Sequence, residues 1–130
     1  MNEHFLRPLM EPESVAVVGA TAFTPGRMGT RTIHDFIEAG WQGRLYPVTT
    51  RTDTLYGRAT LATLDQVPEP VDLVIARVPA QALEDVVEAA IRNGSKALIA
   101  LASGFAETGE EGRQTQLRIV RRAKAAGLRL

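Results

Sequence analysis

Three short runs constrain this chain most: SVAVVG at 14–19, VDLVIA at 71–76 and ALIAL at 97–101. Each is apolar or nearly so, and each gives way to glycine, proline or small residues. A strand whose residues are apolar in succession, rather than in alternation, is covered on both faces. Such strands belong to parallel sheets sandwiched between helices. A further strand is read in RLYPV at 44–48, where Pro47 lacks an N–H and must lie at an edge or a strand end.

Helical spacing fills the intervals. Met28, Thr32, Ile33, Phe36 and Ile37 share one stripe that Gly40 ends. Ala82, Leu83, Val86, Val87, Ala90 and Ile91 form a second, closed by Asn93 and Gly94. Leu117, Val120 and Ala123 mark a third, opened by Thr108 and Glu111 at capping-box spacing. The stretch 49–69 is ambiguous, with Leu61, Leu64 and Val67 spaced for one helical turn, and 128–130 begins another strand. Strands alternating with amphipathic helices imply right-handed βαβ units. The expected fold is α/β, a Rossmann-like doubly wound parallel β-sheet with helices on both faces.

At 130 residues the chain is one domain, and 45% apolar with 23% charged residues is the balance of a soluble globular protein. Lys plus Arg and Asp plus Glu each number 15, and this zero net charge argues against nucleic acid or an acidic membrane as partner. Without cysteine there is no disulfide scaffold, thiolate metal site or thiol nucleophile, and His4 and His34 alone make no histidine-rich metal site. No apolar run reaches the roughly 18 residues of a membrane span, and the first residues are too polar and acidic for a secretory signal. The expected location is the cytoplasm.

In a parallel sheet of this kind ligands bind at the carboxyl edge. The loop at 19–29 is the most informative there. Gly19, Gly26 and Gly29 permit close backbone approach, and the helix that follows directs free N–H groups and a favourable dipole at an anion. The same glycines also serve an ordinary strand-to-helix turn. Their spacing is neither G-x-G-x-x-G nor a P-loop. After the 44–48 strand, where an NAD site places an acid, the sequence reads Thr49, Thr50, Arg51. A cation there suits a ribose that bears a phosphate, as in NADP or coenzyme A.

As an ordered set, SVAVVGAT (14–21), PGRMG (25–29), GRLYPV (43–48), VPEPVDL (67–73), VPA (78–80) and SGFAE (103–107) resemble one family. That family is the CoA-binding domain of NDP-forming acyl-CoA synthetases, related to the succinyl-CoA synthetase α subunit. The resemblance implies that Pro25, Gly26, Arg27 and Met28 hold CoA, with Gly29 entering the helix. It implies that Arg51 pairs with a CoA phosphate, that Val78 and Pro79 form a tight turn at the same edge, and that Leu101, Ala102 and Ser103 line the pantetheine path. Thr49 and Thr50 replace the family's usual Asn-Pro. Family members continue into a second domain with a phosphorylated histidine, and neither His4 nor His34 lies in a matching context. Residues 1–130 are therefore expected to be the CoA-binding, N-terminal part of a longer ligase, binding without turnover, with CoA or acyl-CoA and the downstream ligase domains as partners. Self-association through an exposed sheet edge is a further expectation. Two alternatives stay open: a regulatory CoA-binding domain fused to an acetyltransferase, and an NADP-binding oxidoreductase domain. Phe105 is a ligand-contact candidate at this edge, whereas Trp41 fits a helix–strand corner better than a stacking platform for adenine.

Overall fold

The computed structural model describes residues 11–19, 39–50, 53–55, 57–100 and 109–130. In chain order the strands are β1 (Ser14–Val18), β2 (Arg44–Val48), β3 (Thr54–Leu55), β4 (Arg58–Ala59), β5 (Leu73–Ala76) and β6 (Ala97–Ala100). The helices are α1 (Ala80–Asn93) and α2 (Glu110–Ala125), and Leu64–Gln66 forms a 3-10 turn. Four strands make one all-parallel sheet in the order β2-β1-β5-β6. In register, Val15 lies between Leu45 and Leu73, and Leu73 is in turn opposite Ala97.

The apolar runs behave as their lack of alternation requires, because the sheet has a core on each face. On one face Ala16, Val74, Ala76 and Leu98 pack with Leu83, Val87 and Ala90 of α1 and Ile119 and Ala123 of α2. On the other, Val15, Val17, Leu73 and Ile75 pack with Leu45, Leu55 and Trp41. Full burial of one Val or Leu is worth roughly 1.5–3 kcal/mol, so these two layers dominate the favourable side of folding. Both described helices lie on the first face; the stripe Met28 to Ile37 lies outside the described residues. Trp41 packs partly buried against the second core.

Pro47 sits in β2, at the edge of the four-stranded sheet. Its carbonyl accepts the Leu61 N–H at 2.9 Å, on the outer side, while the next carbonyl, of Val48, accepts the Gly19 N–H at 3.0 Å. The N–H and C=O of one strand residue point the same way, so the donor that Pro47 lacks is not missed by β1. The ambiguous stretch 49–69 resolves into the β3–β4 hairpin and the 3-10 turn. Leu64 and Val67 are buried beside α1, and the turn read from Leu61, Leu64 and Val67 is limited to Leu64–Gln66, while Leu61 bridges Val48.

α1 ends at Gly94, whose φ of 82° lets its N–H reach the carbonyls of Ala90 and Ile91. Asn93 ties this end to the start of β5. Its Oδ1 accepts the Val71 N–H at 3.1 Å and the Ser95 hydroxyl at 2.7 Å, and its Nδ2 donates to the Glu69 carbonyl at 2.9 Å. α2 forms where expected but differs in two respects. Its N-cap is Gly109, with φ 89° and no side-chain cap, and Thr108 of the expected capping box lies outside the described residues. Its buried stripe is Gly112, Ile119 and Ala123, while Leu117 and Val120 are 42% and 44% exposed. The apolar residues of α2 are nearly contiguous, and two ion pairs accompany the register adopted. Arg118 grips Glu84 at 2.8 and 2.9 Å, and Arg122 grips Glu88 at 2.9 and 3.1 Å. Beyond α2, Arg129 bridges β6 in parallel, donating to the Lys96 carbonyl at 3.1 Å and accepting from Leu98 at 2.7 Å. The strand anticipated at 128–130 begins here.

Candidate functional site

Because β2 and β5 flank β1 on opposite sides, the connections from β1 and β5 depart in opposite directions. The crevice between the carboxyl ends of these two strands is the topological switch point, where open parallel sheets take ligands. Gly19 ends β1 at this crevice. Its N–H donates to Val48 on one side, and on the other Arg77 donates its N–H to the Val18 carbonyl at 2.8 Å. The backbone at Gly19 has φ +83°, and a Cβ there would lie 2.2 Å from the Arg77 carbonyl oxygen. Only glycine satisfies both the left-handed conformation and this close approach. Glycine as the residue that brings backbone to the rim is thus a requirement of the geometry.

Residues 77–79 lead from β5 into α1 across the same rim. Val78 is half-buried against the core layer beneath α1, and Pro79 is the exposed N-cap. Proline brings no side-chain cap, and the first turn of α1 carries no acid, so the positive end of the helix dipole is not offset locally. At the tip of β2, Thr49 donates its N–H to Leu61 at 2.8 Å and Thr50 is exposed, so no carboxylate stands directly after this strand. Of the predicted site residues, the structure brings Gly19, Val78 and Pro79 to one rim. Pro25, Gly26, Arg27, Met28, Gly29, Arg51, Leu101, Ala102 and Ser103 lie outside the described residues, as do His4, His34 and Phe105.

Arg77, not singled out in the sequence, adjoins this rim, its Cβ lying 3.6 Å from the position a Gly19 side chain would occupy. The available signal was its place between the β5 run and the Val78-Pro79 turn. Among the described residues, a charge cluster lies elsewhere, at the start of β2. There Glu69 accepts from Arg44 Nε at 2.6 Å and Nη2 at 2.9 Å, and from the Tyr46 hydroxyl. These bonds, the Arg44 one foremost, hold the Glu69 carboxyl below its usual range, and the bond to Glu69 pushes the Tyr46 phenol up. The Tyr46 hydroxyl is thus committed to a structural bond, and Tyr46 packs partly buried against the first core. Among the described residues no group of three His, Asp or Glu is arranged to hold a metal, and no helix is long and apolar enough to cross a membrane.

Known proteins share this arrangement. The chain is 34% identical over 129 residues to the α subunit of an ADP-forming acetate–CoA ligase I of Pyrococcus furiosus, covering 96% of this chain and 28% of that one. It is 33% identical over 125 residues to an ADP-forming acetate–CoA ligase II of Archaeoglobus fulgidus, covering 96% of this chain and 18% of that one. The chain thus spans under a third of the length of these relatives. Among solved structures, the apo form of an acetyl-coenzyme A synthetase 1 of Ca. Korarchaeum cryptofilum superposes with a TM-score of 0.84 at 28% identity, over 95% of this chain and 26% of that one. The CoA binding domain family matches residues 13–130, nearly the whole parallel sheet and its helices, and the chain belongs to that family.

Proposed function

We propose that this chain seats coenzyme A along the rim formed by Gly19 and residues 77–79, as the CoA-binding module of an NDP-forming acyl-CoA synthetase. The whole enzyme would join an acid to CoA at the expense of a nucleoside triphosphate, releasing the diphosphate and phosphate; the ADP-forming ligases among its relatives support this class. The observation that carries the reading is the approach of Gly19 to the Arg77 carbonyl at the switch point. The close approach keeps side chains off this point of the rim, next to a helix N-terminus that favours an anion.

In this reading Pro25, Gly26, Arg27, Met28 and Gly29 wrap the nucleotide, Arg51 pairs with the phosphate on its ribose, and Val78 and Pro79 hold the turn beneath it. Leu101, Ala102 and Ser103 line the path of the pantetheine arm. The phosphohistidine and acyl-selecting surfaces belong to further domains, so residues 1–130 bind without turning over, in the cytoplasm. The groove of about 760 Å³ along β6, α2 and residues 127–130 is where the chain would associate with itself. Size exclusion across a concentration series supports that association if the apparent mass rises and refutes it if the chain stays monomeric.

Calorimetry on Arg51→Ala tests the assignment of the ribose phosphate. A partly buried guanidinium–phosphate pair predicts a loss of about 1–3 kcal/mol for CoA and much less for 3′-dephospho-CoA. Equal losses for the two ligands would remove Arg51 from that phosphate.

A further inference from the structure

We infer that Arg77 is a second phosphate-reading cation of this site, directed at the diphosphate of the nucleotide and not at the phosphate on its ribose. The inference rests on the CoA reading above and adds to it a residue and a division of labour. Arg77 directly follows β5, and its N–H still makes a ladder bond to Val18 at 2.8 Å, so the strand geometry persists through it. Along β5 the side chains alternate: Val74 and Ala76 enter the core beneath α1, and Leu73 and Ile75 enter the opposite core. Arg77 continues the second set. Its Cβ lies 3.6 Å from where a Gly19 side chain would begin, so its half-buried side chain leaves the backbone beside Gly19 at the switch point.

Position then separates it from the ribose. In nucleotide-binding sheets the diphosphate lies over the switch point and the ribose toward the tip of the second strand. The tips of β5 and β2 are separated by β1, which places them roughly 9–10 Å apart at ordinary strand spacing. A guanidinium at β5 therefore faces the diphosphate side, with planar donors suited to its oxygens. The residue before the Val78-Pro79 turn thus adds affinity for the diphosphate that both ligands share, while Gly19 lets the two backbones close up beside it.

The test is calorimetric titration of the chain and of Arg77→Ala and Arg77→Gln with CoA and with 3′-dephospho-CoA. Both substitutions keep the Arg77 carbonyl and Cβ against Gly19, and circular dichroism checks that the fold is retained. The expected result is a roughly 10- to 100-fold loss of affinity, of the same factor for both ligands, because both carry the diphosphate. Arg51→Ala, by contrast, weakens CoA selectively. Unchanged affinity in folded Arg77 variants overturns the inference and leaves the CoA reading standing, as does a loss confined to CoA. Absence of CoA binding by the unaltered chain overturns both.

Discussion

Gly19→Ala is the substitution whose effect follows most directly from geometry. Holding an alanine at φ +83° costs about 1–2 kcal/mol, since its Cβ crowds the following carbonyl. That Cβ also meets the Arg77 carbonyl oxygen at 2.2 Å, far inside contact distance. The oxygen belongs to backbone held in register by the Arg77 N–H bond to Val18, so it moves only by disturbing the β1–β5 pair. Relieving such an overlap typically adds about 1–3 kcal/mol. Together these reach about 2–5 kcal/mol, which for a domain of this size lowers the unfolding midpoint by about 7–18 °C. Gly57→Ala is the control, because Gly57 has φ +75° and nothing within 4 Å of its would-be Cβ. It should show the conformational part alone, about 1–2 kcal/mol. Thermal and urea unfolding followed by circular dichroism measure both variants. Equal destabilisation of the two would refute the close approach at the rim.

Asn93→Ala should destabilise the chain by about 1–3 kcal/mol in urea unfolding, because it leaves the N–H of the fully buried Val71 without its partner. The Glu69 carboxyl, held down by Arg44 and then by Tyr46, contributes stability above the ordinary carboxylate pKa, and that contribution fades as pH falls through its lowered value. Glu69→Gln should therefore be less stable than the parent at neutral pH and approach it in acid; a pH-independent difference would refute this. For Tyr46, raised chiefly by its bond to Glu69, the contribution is present below the ordinary phenol pKa and is lost as pH rises through the raised value. Tyr46→Phe should accordingly narrow the stability gap at strongly alkaline pH, as followed by denaturant midpoints.

Much of the sheet was legible because buried parallel strands leave an unmistakable pattern. SVAVVG, LVIA and ALIA are apolar without alternation, and Pro47 announced the edge strand. The β3–β4 hairpin was not legible, since its strands have two residues each and Gly57 is only a weak turn signal beside a tyrosine. The register of α2 was misread for a related reason. With Leu117, Ile119 and Val120 nearly adjacent, periodicity alone does not choose the buried stripe. The matching four-residue spacing of Glu84 with Glu88 and of Arg118 with Arg122 carried that information in the charges. At the site, Gly19, Val78 and Pro79 were readable from the strand-to-helix junctions. Arg77 was not, because its one mark in the sequence is its place between the β5 run and the Val78-Pro79 turn. The other proposed residues rest on motif order alone, since no local physical rule singles out Leu101 or Ala102.

Calorimetric titration of the unaltered chain with CoA, 3′-dephospho-CoA and NADPH in parallel addresses the nucleotide seat most directly. The CoA reading predicts saturable heat with CoA and weaker binding of dephospho-CoA, which lacks the ribose phosphate. Binding of NADPH alone, or no saturable heat with any of the three, would contradict it.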